Sequence, residues 1–241
     1  MHVARVIGHR GAAALAPENT LASIREAKAT GATWVEIDVS VLADGTLVIF
    51  HDETLERCTS GSGVLEQQFW SDIKDLDAGS WFDPRFADER IPTLEQALEC
   101  IQSLGLGLNL EIKYEGHEYS RIVDPTLAAL EAHWQDSDKL VISSFNHGTL
   151  LHAKALNCRF ALGQLYEDIP KHWADELSAI GAFSLHCDHT HLTPELAQAI
   201  KAKGYQLFCY TSNEASEVAK HWAWGMDGII TDNPPCFLLA E

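Results

Sequence analysis

The sequence predicts an α/β fold, a closed (β/α)8 barrel, on two observations. Short β-branched or apolar runs alternate with helix-length segments along nearly all of the 241 residues. That alternation means parallel strands joined by right-handed crossovers. The runs number eight, beginning at Val3, Trp34, Gly107, Leu140, Arg159, Ala182, Tyr205 and Asp227, enough to close a barrel. An open doubly wound sheet is the alternative. The length suits one barrel domain over residues 1–241, with an insertion at about 53–92.

The first run ends in "VIGHRG" and turns through "PENT" into a helix over 20–30. Asn19 or Thr20 is the expected helix cap, Pro17 sets the turn, and Glu18 is placed to bond Arg10. Gly11 is expected to turn the backbone away and leave room for an anion. The second run is followed by "LADGTLVIFHD", in which Asp44-Gly45 signals a two-residue hairpin. A turn centred there sets Asp38 opposite His51 and Ser40 opposite Ile49. Glu36, Asp38 and His51 then share one face, and Val35, Ile37, Val39 and Phe50 the other. The segment 53–92 carries Phe69, Trp70, Trp81, Phe82 and Phe86. A structureless connection of that length is unusual, and it reads as a partly ordered cap over the barrel mouth. Helices are expected over 93–104 and 194–203. Between them "GLNLEIK" alternates again: Leu108, Leu110 and Ile112 on one side, Asn109, Glu111 and Lys113 on the other.

Acidic residues outnumber basic ones 35 to 17, for a formal charge of −18. Nucleic acid and anionic membrane surfaces repel such a protein, so neither is an expected partner. No apolar run approaches the roughly 18 residues of a membrane helix. Arg5 and Arg10 come too early for a secretory signal, and the six cysteines form no C-x-x-C pair. The expectation is a cytoplasmic protein with reduced thiols.

Three carboxylates, Glu36, Asp38 and Glu111, converge from neighbouring strands, and burying them bare would cost several kcal/mol each. They need positive charge. One source is an internal salt-bridge network with Arg10 and Lys113. The other is a divalent metal, and hard oxygen ligands without cysteine suit Mg2+ or Ca2+ better than zinc. His9 and His51 flank the cluster as a candidate acid and base. Arg10 and Lys113 are fixed cations suited to an anionic phosphate. Phe145 and Tyr210 end strands at the mouth, as pocket-lining candidates or as core.

Taken together, "GHRG…PENT", "EIDV…DGTLVIFHD", "LNLEIK", "VISSFN" and "GMDGIITDNP" resemble the glycerophosphodiester phosphodiesterase family, in order and over nearly the full length. "AGSWFDPRF…RIPTLEQAL" is similar to that family's inserted region and the helix after it. The resemblance implies a (β/α)8 barrel, a divalent metal, and hydrolysis of glycerophosphodiesters to glycerol 3-phosphate and an alcohol. It assigns His9 as base and His51 as acid. Tyr210 stands where relatives often have tryptophan, followed by Thr211 and Asn213. The rival readings are a lysophospholipase D acting on lysolipid, a sugar-phosphate aldolase or isomerase, and a non-catalytic phosphodiester-binding module.

Other motifs carry less. "HCDHTH" (His186, Cys187, His189, His191) is too tightly spaced for a zinc finger and reads as a loop at the sixth strand's end, with His186 near the mouth. "GSGVLE" lacks the third glycine of a dinucleotide fingerprint. Neither a P-loop nor a G-x-S-x-G elbow is present. Trp222 and Trp224 read as helix packing.

Overall fold

The computed structural model describes residues 1–114 and 116–238. Its eight parallel strands are β1 (Val6–Gly8), β2 (Trp34–Val41), β4 (Gly107–Ile112), β5 (Leu140–Ser144), β6 (Ala161–Tyr166), β7 (Ser184–Asp188), β8 (Gln206–Tyr210) and β9 (Gly228–Thr231). They pair in chain order, and β9 returns to β1 through Val6 with Ile229 and Gly8 with Thr231. Gly8 also pairs with Val35 of β2, which closes the barrel. The expected fold class is therefore what the chain adopts. The first strand begins at Val6 rather than Val3.

Helices follow from local signals. Thr20 caps α1 (Leu21–Ala29) by accepting from the Ser23 amide, which leaves Asn19 for another task. A reciprocal capping box of Thr93 and Gln96 opens α3 (Leu94–Ser103). Their buried faces pack on the outward residues of the strands: Val35, Ile37 and Val39 of β2, and Leu108, Leu110 and Ile112 of β4. Inside the barrel, Ile7, Trp34, Val141, Phe208 and Ile230 form an apolar cluster of their own.

The hairpin departs from expectation by one residue. β3 (Leu47–Ile49) is antiparallel to β2, with Val39 opposite Ile49, Ser40 opposite Val48 and Val41 opposite Leu47. The loop has three residues. Leu42 accepts from the Gly45 amide at 3.1 Å, and the Leu42 amide donates to Thr46 O at 2.9 Å. Gly45 is left-handed at φ 85°, the residue that completes a three-residue loop with a bulge. A one-residue slip exchanges the faces of a strand. Leu47 and Ile49 therefore join Val39 under the helices. Phe50 and Val48 instead meet the inserted segment, in a separate core with Leu42, Leu55, Leu65, Ile73 and Ile91. Burying Phe50 there contributes about 2 kcal/mol.

The segment 53–92 contains a 3-10 turn at Leu65–Gln67, α2 (Trp70–Ile73) and a 3-10 turn at Pro84–Phe86. It is fastened to the hairpin by the Ala43 amide on Gln68 O and the Trp70 amide on Asp44 Oδ2. Val48 bridges to Thr93, so the outer edge of β3 is covered. "HCDHTH" is half strand, His186 to Asp188 ending β7, and half a 3-10 turn over His189–His191 at the strand's end. Its His186 is fully buried against Ser184 and Phe208, away from the mouth. Among the described residues no helix is long and apolar enough to cross a membrane.

Candidate active site

Trp34, Glu36 and Asp38 alternate on the inner face of β2, as Asn109 and Glu111 do on β4. The register sets Glu36 beside Asn109 and Asp38 beside Glu111. One oxygen from each of Glu36, Asp38 and Glu111 lies within 4.8 Å of the others, and all three residues are nearly inaccessible to water. Burial pushes the Glu36 and Glu111 carboxyls up, and their shared neighbour Asp38 adds to it. Asp38 goes the other way. Burial alone would raise it, but Arg10, His51, the Asn19 amide and Lys113 hold it below the usual carboxylate value. Two cations, Arg10 and Lys113, face three carboxylates, and Arg10 is shared with Glu18, so a salt-bridge network alone does not satisfy the cluster. Glu36 Oε1 is buried without a hydrogen-bond partner. An unpartnered anionic oxygen facing two carboxylates, with no thiolate near, fits a hard divalent cation.

His9 follows β1 directly. Its Nδ1 lies 2.6 Å from Asp232 Oδ1, and its Nε2 points inward, 3.8 Å from Glu36 Oε2. Asn213 donates to Asp232 Oδ2 at 2.9 Å and accepts from the Asp232 amide and from Thr231 Oγ. Burial would raise Asp232, but His9 and Asn213 hold it down, so it remains an anion that orients the imidazole. His51 is built alike: Nδ1 is 2.7 Å from Asp52 Oδ1, leaving Nε2 3.4 Å from Lys113 Nζ. Strand alternation does not bring His51 here, because in the observed register it would follow Ile49 to the outer face. The last bond to β2 is from the Phe50 amide to Asp38 O at 3.0 Å, and beyond it the chain leads His51 to the mouth. Burial pulls His51 below the ordinary imidazole value. Asp38 and Asp52 oppose that, while Arg10 and Lys113 add to it.

Arg10 sits at φ 48°, a left-handed conformation costing roughly 1–2 kcal/mol for a residue with a side chain. It is held there by its amide on Glu36 Oε2 (3.0 Å) and its carbonyl on Ser23 Oγ (2.7 Å). Its guanidinium donates to Glu18 at 2.6 Å, as expected from "PENT", and lies 3.4 Å from Asp38. Gly11 turns the backbone as expected, at φ 89°, but the room it leaves is not for an anion. A Cβ there would meet Ser23 at 2.4–2.7 Å, so the glycine admits helix α1 rather than an anion. Asn19 donates to Asp38 Oδ2 at 2.8 Å. Lys113 Nζ lies 3.2 Å from Glu111.

A cavity of about 240 Å³ joins these groups, lined by His9, Arg10, Glu36, His51, Asn109 and Glu111, with Phe145 and Tyr210 on its wall. Phe145 and Tyr210 stack edge to face at 5.9 Å. Of the site residues expected from sequence, His9, Arg10, Glu36, His51, Glu111, Phe145 and Tyr210 line this space, Asp38 is buried beside Glu36 and Glu111, and Lys113 lines the neighbouring groove next to His51. Sequence reasoning missed Asp52, Asp232, Asn213, Asn109 and Arg57 as participants. Arg57, from the inserted segment, bonds Asp52 and Glu18 together at 2.6–2.8 Å. The available signals were the D in "HD" and the "TDN" that ends the last strand.

A family model described as glycerophosphoryl diester phosphodiesterase matches residues 9–235. A glycerophosphodiester phosphodiesterase of Caldanaerobacter subterraneus subsp. tengcongensis is 37% identical over 230 residues, covering 95% of this chain and 94% of that one. One from Bacillus altitudinis is 30% identical, with 95% of each chain covered. The solved structure of an Oleispira antarctica phosphodiesterase in complex with its product sn-glycerol-3-phosphate superposes with a TM-score of 0.95. It is 38% identical, covering 98% of this chain and 96% of that one.

Proposed function

Because the chain belongs to the glycerophosphoryl diester phosphodiesterase family, we propose that it hydrolyses glycerophosphodiesters to glycerol 3-phosphate and an alcohol. The observation that carries this reading is the single cavity shared by two carboxylate-oriented imidazoles, a buried arginine and the carboxylate cluster. Binding alone needs no acid and base, so the paired histidines favour an enzyme over a binding module.

Glu36, Asp38 and Glu111 would hold the divalent cation, Mg2+ or Ca2+. When bound, the cation polarises the phosphoryl group as a Lewis acid. Arg10 and Lys113 face the phosphate oxygens and stabilise the charge that builds there, the contribution that is usually largest. His9 Nε2 takes the proton of the attacking oxygen, water or the neighbouring glycerol hydroxyl, and Asp232 stabilises the imidazolium that results. His51 gives a proton to the alcohol oxygen as its bond to phosphorus breaks. In the free protein burial, Arg10 and Lys113 pull His51 below the ordinary imidazole value. A phosphodiester between Arg10 and Lys113 adds negative charge beside it and raises His51 when substrate binds.

Beside His51 and Lys113 a groove of about 460 Å³ runs between the inserted segment and the end of β4, lined by Ser40, Glu53, Val64, Leu65 and Glu66 among others. We infer that the departing alcohol lies there, with 53–92 forming one wall of the entrance. Its lining sets the carboxylates Asp52, Glu53 and Glu66 beside the apolar surface of Val64, Leu65 and Tyr114, and the carboxylates suit a small alcohol with a cationic head. The test is glycerol 3-phosphate release from glycerophosphocholine and glycerophosphoethanolamine, with EDTA and after restoring Mg2+ or Ca2+. Release that stops with EDTA and returns with a metal is expected. No release with any metal, alongside turnover of lysolipid, would move the reading to a lysophospholipase D.

A further inference from the structure

Three of the described residues with unpartnered buried polar atoms line the same 240 Å³ cavity: Arg10 through Nε, Glu36 through Oε1, and Asn109 through both Nδ2 and Oδ1. The others, such as Ser143 Oγ and His186 Nδ1, lie outside it. Leaving a buried donor or acceptor unmade costs about 1–3 kcal/mol, and Asn109, only 2% exposed, carries one of each. A polar side chain kept at that cost on the wall of a reaction cavity points to a ligand.

The three differ in kind. Arg10 Nε makes no hydrogen bond but already faces the anion Asp38 at 3.4 Å, and an unpartnered carboxylate oxygen matches a cation. A neutral carboxamide that offers one donor and one acceptor matches a group that is both, and a hydroxyl is that group. Asn109 is placed two residues before Glu111 and in register with Glu36, on the barrel floor below the cations that would hold the phosphate.

Resting on the phosphodiesterase reading, we propose that Asn109 is the residue that recognises a free hydroxyl of the glycerol moiety. It accepts that proton on Oδ1 and donates from Nδ2, and so selects glycerol diesters over diesters of simple alkanols. A site that hydrogen-bonds a substrate hydroxyl discriminates strongly against the analogue lacking it, because the protein groups are then left unpaired.

The experiment compares glycerophosphocholine with propylphosphocholine, the same diester without the glycerol hydroxyls, on wild type, Asn109→Leu and Asn109→Ala. Ca2+ affinity is measured by calorimetry and folding by thermal melting for each. Wild type is expected to favour the glycerol diester by at least about 100-fold in kcat/KM. Asn109→Leu should lose most of that preference, falling on glycerophosphocholine and changing less than about threefold on propylphosphocholine. Its melting temperature should equal or exceed that of wild type, with Ca2+ affinity unchanged. Should Asn109→Leu not fold, Asn109→Ala reads the same ratio. A preference unchanged in the variants, or Ca2+ affinity reduced tenfold or more, overturns the role of Asn109 and leaves the phosphodiesterase reading intact. A wild type inactive on both diesters with every metal overturns both.

Discussion

His9 and His51 each turn Nδ1 to a carboxylate and keep Nε2 for the cavity. Replacing either by alanine is expected to lower kcat by roughly 10²–10⁴ with the fold intact by circular dichroism. Wild-type turnover in either variant would end the acid–base assignment. Asp232→Asn keeps the shape but removes the charge that orients His9, so a kcat loss of about 10–100-fold is expected. An acid must be protonated to act, so activity falls as pH rises through its pKa. His51 lies below the ordinary value when the site is free and gains negative charge when a diester binds. The alkaline limb of kcat/KM should therefore fall at lower pH than that of kcat, which pH–rate profiles read directly. Coincident limbs would count against His51 as the acid. The partners of the two histidines were unequally legible in the sequence. Asp52 is the next letter after His51, but Asp232 is 223 positions from His9, and only closure of β9 onto β1 brings them together.

At the scale of elements, strand and helix order follow from hydrophobic periodicity, and all eight parallel strands were legible in it. The hairpin shows where that legibility stops. Asp44-Gly45 correctly marks a turn, but turn length depends on which residue goes left-handed, and a two-residue and a three-residue loop share the same letters. The slip moved Phe50 to the insertion core, yet the site survived because Glu36 and Asp38 are placed by β4, not β3. Gly45 carries the loop, so Gly45→Val should destabilise by about 1–2 kcal/mol, seen as a lower urea midpoint. Activity at low urea should be nearly unchanged. The inserted segment was visible as length and aromatic content only, since its own packing has no period to read. Its Arg57 ties Asp52 to Glu18, so it touches the site through charges that no local pattern announces.

Across the whole molecule, acidic groups act on stability in two senses. Glu18, Asp38, Asp52 and Asp232 are held low, so what they contribute is present above the ordinary carboxylate range and lost as pH falls through their folded values. Glu36 and Glu111 are held high. Without a cation, stability is lost as pH rises from the ordinary glutamate value of 4.5 through their raised values. The metal-free protein should therefore melt at its highest temperature on the acid side of neutrality. Mg2+ or Ca2+ should move that optimum upward, adding about 2.7 kcal/mol at a hundred times Kd. Melting curves across pH, with EDTA and with each cation, would show it; identical curves would remove the carboxylate cluster as a metal site. Strand β2 has one further consequence. It is bonded to β4 along Trp34–Val39, to β1 at Val35 and to β3 at Val39–Val41, so both edges are occupied over most of its length. In amide hydrogen–deuterium exchange, Glu36 to Val39 should be among the last positions to label. Substrate or cation would then change labelling in the loops around the mouth and leave the strand that carries two of the three carboxylates silent.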